Sequence, residues 1–410
     1  MRATIARRAT RVFATAFAAG GLALAALAPA MAQQTQLQRG EYLARAGDCV
    51  SCHTAQGGAP YAGGLRLDTP FGYMLSPNIT PDPVTGIGRW SGDDFYRAMH
   101  HGVNKRGQDM YPVMPYDFYT KVTRADIDAI FAYLKTVTPV TNNVTTNHLY
   151  FPFNQRWSMG AWRELFFSEG TYKPDPAKSA SWNRGAYLVE GLGHCSDCHS
   201  PRDIMGGIEK SKAFQGAVID GWFALNLSSN LHSGLGEWTA EEIATYLKTG
   251  VFRGKTTALG PMAEVVKNST SYMTDDDLKA MGEYLKSIPA SSPLRTARAM
   301  PSDVRIEAAS LYMDHCGGCH QAGGRGVPNV FPPLAGNGVV LSKSPADILK
   351  VVLNGIPARG KYVPMPSFAN QLTDKGIADL ANYVRSSWGN TAASDATPEE
   401  VARLRRSMKK

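Results

Sequence analysis

Residues 49–53 read Cys49-Val50-Ser51-Cys52-His53, and the pattern returns as Cys195-Ser196-Asp197-Cys198-His199 and Cys316-Gly317-Gly318-Cys319-His320. The three copies use all six cysteines of the 410-residue chain. Cys-x-x-Cys-His is the attachment pattern for c-type haem. The two thiols become thioethers on the vinyl groups, and the adjacent imidazole binds the iron. Other uses of these cysteines fit badly. A structural zinc site needs four ligands, and three half-sites that each end in His do not divide into such sets. A thioredoxin-like pair has no need of the trailing His. Disulfide frameworks mostly staple far shorter chains. The motifs therefore predict three covalent haem c groups, with His53, His199 and His320 as axial ligands.

The N-terminus predicts export. Arg2, Arg7, Arg8 and Arg11 precede an apolar run from Val12 to Ala28, and Ala30-Met31-Ala32 is a small-residue cleavage site. That layout reads as a signal peptide over residues 1–32, with Pro29 and the small-residue site favouring cleavage after Ala32 over an uncleaved membrane anchor, and it agrees with haem c, which bacteria attach outside the cytoplasm. Loss of those four arginines takes the formal charge from +8 to +4. So mild a balance argues against a nucleic-acid partner. A second basic cluster, Arg403, Arg405, Arg406, Lys409 and Lys410, reads as a solvated helix end or a weak attraction to anionic lipid. No mature segment is long and apolar enough to span a bilayer.

The motifs sit in larger repeats. Arg39-Gly40-Glu41-Tyr42-Leu43 and Arg184-Gly185-Ala186-Tyr187-Leu188 precede the first two, and Ala308 to Met313 precedes the third more loosely. Copies one and two then share Gly-x-Gly-x-Trp, ending at Trp90 and Trp238. Ser91 and Thr239 suit helix N-caps, with acidic residues in the first turn. Gly102 and Gly250 suit the stops. Copy three offers a helix from Ser344 to Asn354. Closing helices begin at Thr123, Thr274 and Thr373, and Ile127, Ile130, Phe131 and Leu134 make one apolar stripe. Segments rich in Pro, Ser, Thr and Asn read as linkers. The expected organisation is signal peptide 1–32, domain 33–140, linker 141–180, domain 181–289, linker 290–303, domain 304–390 and basic tail 391–410. Domains this small need their haem as part of the core.

A methionine recurs at a corresponding place. Met114 and Met262 each lie twelve residues after the glycine stop, and Met365 lies ten after Gly355. Each has a proline neighbour, which stiffens the backbone around a weak ligand. A lone Met is ordinarily core packing. Recurrence points instead to a thioether on each iron, which raises the reduction potential. Met110 lacks counterparts, and His100 and His101 read as structural for the same reason. His194 and His315 directly precede a haem cysteine, a poor place for an axial ligand. Pro332-Pro333-Leu334 offers a carbonyl to the ring N–H of His320.

Further stretches carry a family resemblance. They include Gly47-Asp48 before the first motif, Tyr61-Ala62-Gly63-Gly64-Leu65, Ser76-Pro77-Asn78-Ile79-Thr80-Pro81-Asp82 and Tyr111-Pro112-Val113-Met114-Pro115-Tyr116. Cys198-His199-Ser200-Pro201-Arg202, Phe331-Pro332-Pro333-Leu334-Ala335-Gly336-Asn337, Arg156-Trp157 and Trp162 add to them. In these the chain resembles the trihaem cytochrome c subunit of bacterial membrane-bound dehydrogenases acting on alcohol, gluconate, sorbitol or glucose. Related subunits accompany molybdenum-containing enzymes that oxidise aldehydes or heterocycles. The resemblance implies a mainly α chain of three tandem class I cytochrome c domains. It implies a catalytic dehydrogenase partner, delivery to ubiquinone or a terminal oxidase, and a place on the periplasmic face of the cytoplasmic membrane. The short basic tail departs from members with a longer apolar extension, so attachment reads as peripheral.

The expected role is an electron relay that makes and breaks no substrate bond, with the protein setting haem spacing and potential. A multihaem peroxidase would need an open iron, against which the recurrent Met argues. A free soluble shuttle is the other alternative. The aromatics Trp157, Trp162, Phe166 and Phe167 either meet a partner, lipid or quinone, or seal a domain surface.

Overall fold

The computed structural model describes residues 35–231, 233–252, 256–291, 300–358 and 362–408. The signal segment, Lys409 and Lys410 lie outside them. The chain is mainly helical, and one succession of elements recurs along it.

In the first unit, α1 (35–46) runs into α2 (Cys49–Cys52). A hairpin follows, β1 (Arg66–Thr69) against β2 (Gly72–Leu75). The long loop ends at α3 (Gly92–Tyr96), which Ser91 and Asp94 start with a reciprocal capping box. A π turn, Arg97–His101, extends α3 and stops at Gly102, where φ is 62°. Then come α4 (Tyr116–Tyr119) and α5 (Arg124–Leu134), the latter capped by Thr123.

The linker is more ordered than its composition predicts. β3 (Asn147–Leu149) pairs antiparallel with β2, making a three-stranded sheet. α6 (Trp157–Phe166) buries Met159 and Trp162 against Met74, Tyr111 and Tyr116. Trp162, Phe166 and Phe167 thus seal the first unit, while Trp157 remains 70% exposed.

The middle stretch repeats the plan. α7 (Ala180–Tyr187) continues as a π turn, Leu188–Leu192, before α8 (Cys195–His199). A hairpin follows, β4 (Ala217–Ile219) with β5 (Trp222–Ala224). α9 (Ala240–Thr249) has a Thr239–Glu242 capping box and a left-handed stop at Gly250. α10 (Gly260–Asn268) and α11 (Asp275–Ser287) complete it. The last stretch has α12 (Ser302–His315), α13 (Gly317–His320), α14 (Ala346–Asn354) and α15 (Asp374–Arg385).

The basic tail is not free. α16 (Pro398–Ser407) buries Val401 and Leu404 in the core of the third unit. Arg405 pairs with Asp374 at 2.8 Å. Two apolar side chains one turn apart suffice to dock it, at roughly 1.5–3 kcal/mol each.

The cores group the three stretches unequally. Leu43, Ile127, Ile130 and Leu134 of the first share one continuous core with Leu188, Leu192, Leu278 and Leu285 of the second. The third has its own core, around Tyr312, Leu349, Leu353, Ile377 and Val384. It meets the second through β5, where Asp347 accepts a hydrogen bond from Phe223 N at 2.5 Å.

Candidate haem-binding sites

Each Cys-x-x-Cys pair lies on a single helical turn, and all six thiols are free. The approach to the first cysteine differs. Asp48 and His194 hold left-handed backbone, φ 50° and 34°, which ends the preceding helical run. In the third unit α12 runs directly to Cys316. Burial pushes the thiols of Cys49, Cys52, Cys195 and Cys198 up to about 12, and that of Cys316 to about 11. Such thiols are protonated at neutral pH, unlike an activated nucleophilic thiolate.

The three motif histidines share one hydrogen-bond arrangement. His53 Nδ1 lies 2.8 Å from the Pro77 carbonyl, His199 Nδ1 2.6 Å from that of Leu225, and His320 Nδ1 2.9 Å from that of Pro332. A carbonyl accepts only, so each Nδ1 carries the proton and donates. Nε2 is left with its lone pair free for a metal, and the ring is fixed in orientation. Burial lowers the pKa of all three rings, partly opposed by these carbonyls. The neutral imidazole that iron requires is thus the favoured form. Paired free thiols and an oriented Nε2 together fit haem c.

The Pro332 carbonyl is legible in the sequence, whereas those of Pro77 and Leu225 escape a reading of each motif alone. A signal for them exists. Each precedes an Asn whose side chain accepts from the backbone two residues on, Asn78 from Thr80 N and Asn226 from Ser228 N, both at 2.9 Å. Alignment of Asn78-Ile79-Thr80 with Asn226-Leu227-Ser228 marks the carbonyl.

The three candidate methionines all pack partly buried against a core, Met114 and Met262 in the shared one and Met365 in the third. Their local structures differ. Met114 lies in a turn closed by its N–H on Tyr111 O, and Met365 exchanges two backbone hydrogen bonds with Ile356. Met262 sits in the first turn of α10, with Pro261 as a helix-starting residue. Proline at that place needs no N–H partner, so the expected stiff loop is replaced there by a helix. Met110 packs in the small cluster under α6.

The first two motifs are neighbours. His194 stands edge-on to Tyr119 at 5.6 Å, and Tyr119 Oη donates to Gly47 O at 3.1 Å. Asn268 Nδ2 reaches Ser51 Oγ at 2.8 Å. The Asp197 carboxylate adds to the upward push on the Cys52 thiol. Burial holds His194 in its neutral form, so it adds no charge between the motifs. His315 lies instead against Phe368, ring centres 5.9 Å apart. His100 and His101 join neither group; they end the π turn beside Tyr96 and Glu169.

Comparison with known proteins agrees with this geometry. Residues 37–138 match the family model "Cytochrome c", and residues 306–384 match "Cytochrome C oxidase, cbb3-type, subunit III". Over 412 residues the chain is 38% identical to the gluconate 2-dehydrogenase cytochrome c subunit of Pantoea cypripedii, covering 94% of this chain and 93% of that one. It is 39% identical to the cytochrome c subunit of the quinone alcohol dehydrogenase of Gluconobacter oxydans, covering 91% and 83%. It is 43% identical to a nicotinate dehydrogenase subunit of Pseudomonas putida over 85% of this chain. The chain spans about 30% of that longer protein.

Proposed function

The chain belongs to the family of cytochrome c subunits of dehydrogenases, and on that footing we propose that it relays electrons out of an exported dehydrogenase complex through three haem c groups. The observation that carries the count is the recurrence of one site three times: two thiols on a turn, a histidine whose Nδ1 donates to a backbone carbonyl, and a proline-flanked Met downstream. The units are three tandem class I cytochrome c domains, with α16 completing the third.

Haem c, when bound, supplies a one-electron iron couple. The protein's part is to hold and tune it. Cys49 and Cys52, Cys195 and Cys198, and Cys316 and Cys319 anchor the groups. His53, His199 and His320 would hold the iron through Nε2, their rings oriented by the Pro77, Leu225 and Pro332 carbonyls. Met114, Met262 and Met365 would offer their thioethers to the iron, which would close it to a substrate.

The catalytic partner oxidises an alcohol, sugar acid, polyol, aldehyde or heterocycle, and the acceptor is ubiquinone or a terminal oxidase. Among the described residues no helix is long and apolar enough to cross a membrane. Attachment to the periplasmic face is peripheral, through the partner.

The test is purification of the native complex from the exported fraction, with intact mass and haem quantification of this subunit. Three haems per chain, and reduction of their α-band when the partner's substrate is added, are expected. Two haems per chain would overturn the count. An α-band unmoved by any substrate of the copurified enzyme would overturn the relay.

A further inference from the structure

One polar cluster is not used by the haem-binding arrangement. A ring nitrogen of His100, one of His101 and a carboxylate oxygen of Glu169 lie within 4.8 Å of one another. His101 Nδ1 and Glu169 Oε2 are already 2.9 Å apart. His100 is 5% exposed, and its Nδ1 has no hydrogen-bond partner among the described residues. A buried polar atom left in that state is costly, at about 1–3 kcal/mol. Its ring is held in place by Tyr96, stacked at 4.8 Å between centres and 13° between planes.

The backbone brings the three together from two elements. The π turn Arg97–His101 ends in two consecutive histidines, and π turns concentrate at functional sites. Glu169 comes from the linker beyond α6. That segment is fixed by Gly170 N on Thr120 Oγ1 at 3.0 Å, and Arg163 of α6 donates to His101 O at 2.7 Å.

We propose that His100, His101 and Glu169 form a binding site for a divalent cation of the zinc class. Two imidazoles and one carboxylate are an established zinc ligand set, which leaves a fourth position for water. Donor bonds of about 2.0–2.2 Å put ligand atoms ~3–4 Å apart, so the 4.8 Å spread closes with small side-chain rotations. The ion takes the place of the direct His101–Glu169 contact, with the proton of the neutral imidazole moving to the ring nitrogen that does not face the ion. The side chains of His101 and Glu169 are 35% and 48% exposed, which gives the ion an entry path and its water a place. Desolvation and then the neighbouring His101 push buried His100 toward its neutral form, partly opposed by Glu169 and the Val122 backbone. Zinc has no redox couple, so the site clips the linker to the first unit and carries no electrons.

The experiment uses the full-length protein with its haems, treated with chelator and dialysed against micromolar Zn²⁺, with bound metal counted by mass spectrometry. One equivalent is expected in the wild type. His101→Gln and Glu169→Gln are expected to weaken binding about tenfold or more, as loss of a ligand must at least match loss of an outer-shell partner. The haem spectrum should be unchanged in both. Glu169→Gln alters a half-exposed loop residue and keeps the test decisive if His101→Gln fails to fold. Substoichiometric zinc in the wild type, or equal zinc in wild type and Glu169→Gln, overturns the site.

Discussion

Tyr187 of the second unit donates its hydroxyl to the buried carboxylate of Asp126 in the first, at 2.6 Å. The relation is returned: Tyr42 of the first unit donates to Asp277 of the second, at 2.5 Å. Each Asp is the third residue of a closing helix, and each takes an arginine from its own unit, Arg39 or Arg184. Each tyrosine oxygen also accepts a helix-cap N–H, from Thr123 at 3.1 Å or Thr274 at 3.3 Å. The two units therefore join by a self-complementary exchange, like the halves of a two-fold dimer. The third unit has Gly376 at the Asp position and stands apart with its own core. Tyr187→Phe and Tyr42→Phe should each cost about 1–3 kcal/mol, since each leaves a helix-cap donor and a carboxylate under-satisfied. Hydrogen exchange should quicken in α5 and α11 and stay unchanged in α15. Equal quickening in all three would show that the exchange does not join the first pair specifically.

The crossing of α1 over α5, and of α7 over α11, depends on missing side chains. A Cβ on Gly40 would meet Ala129 O at 2.0 Å, and one on Gly185 would meet Ala280 O at 1.9 Å. Backbone atoms cannot rotate away, so the helices must part. Gly40→Ala and Gly185→Ala should each lose about 3 kcal/mol or more, above the usual overpacking cost of about 1–3 kcal/mol. Gly338→Ala, with nothing within 4 Å, is the control. Thermal melts of the purified holoproteins decide it, and a melt of Gly40→Ala equal to that of the control would contradict the crossing.

What the sequence made legible was local. Ser91, Thr239, Thr123, Thr274 and Thr373 all cap helices as read, because an N-cap is a contact within four residues. The motif histidines carry their chemistry in the motif itself. What escaped was long-range. β3 joins β2 across the linker, and nothing near Asn147 announces its partner. The Tyr42–Asp277 bond spans 235 positions. The docking of α16 rests on Val401 and Leu404, too few to show a periodic stripe. Pro261 reads equally as a loop stiffener and a helix start, and tertiary packing chose the second.

The methionines are open to a direct spectroscopic test. Met114→Ala, Met262→Ala and Met365→Ala should each remove one share of the weak near-infrared Met–iron band of the oxidised protein. Each should lower the potential of one haem, because thioether ligation raises it. Met262 is the sharpest case, since its helical setting departs from the other two. A full band in Met262→Ala would exclude that residue and leave its iron with another ligand.

Docking of the third unit should weaken as pH rises. Asp347 is 4% exposed and faces β5 of the second unit. Burial raises its carboxyl from 3.8 to about 6, against the opposing pull of Phe223 N–H and Lys350. An acid whose folded value is raised binds its proton more tightly in the docked state. Its contribution is therefore complete below the unfolded value of 3.8 and is lost as pH climbs through about 6. The difference corresponds to about 3 kcal/mol for so buried a group. Asp347→Asn keeps an acceptor for Phe223 N–H and removes the titration. Calorimetric melts of the wild type should fall across this window relative to those of the variant, which keeps the titration of Asp48 and Asp117 and loses only that of Asp347. Parallel curves would assign the pH dependence to another group.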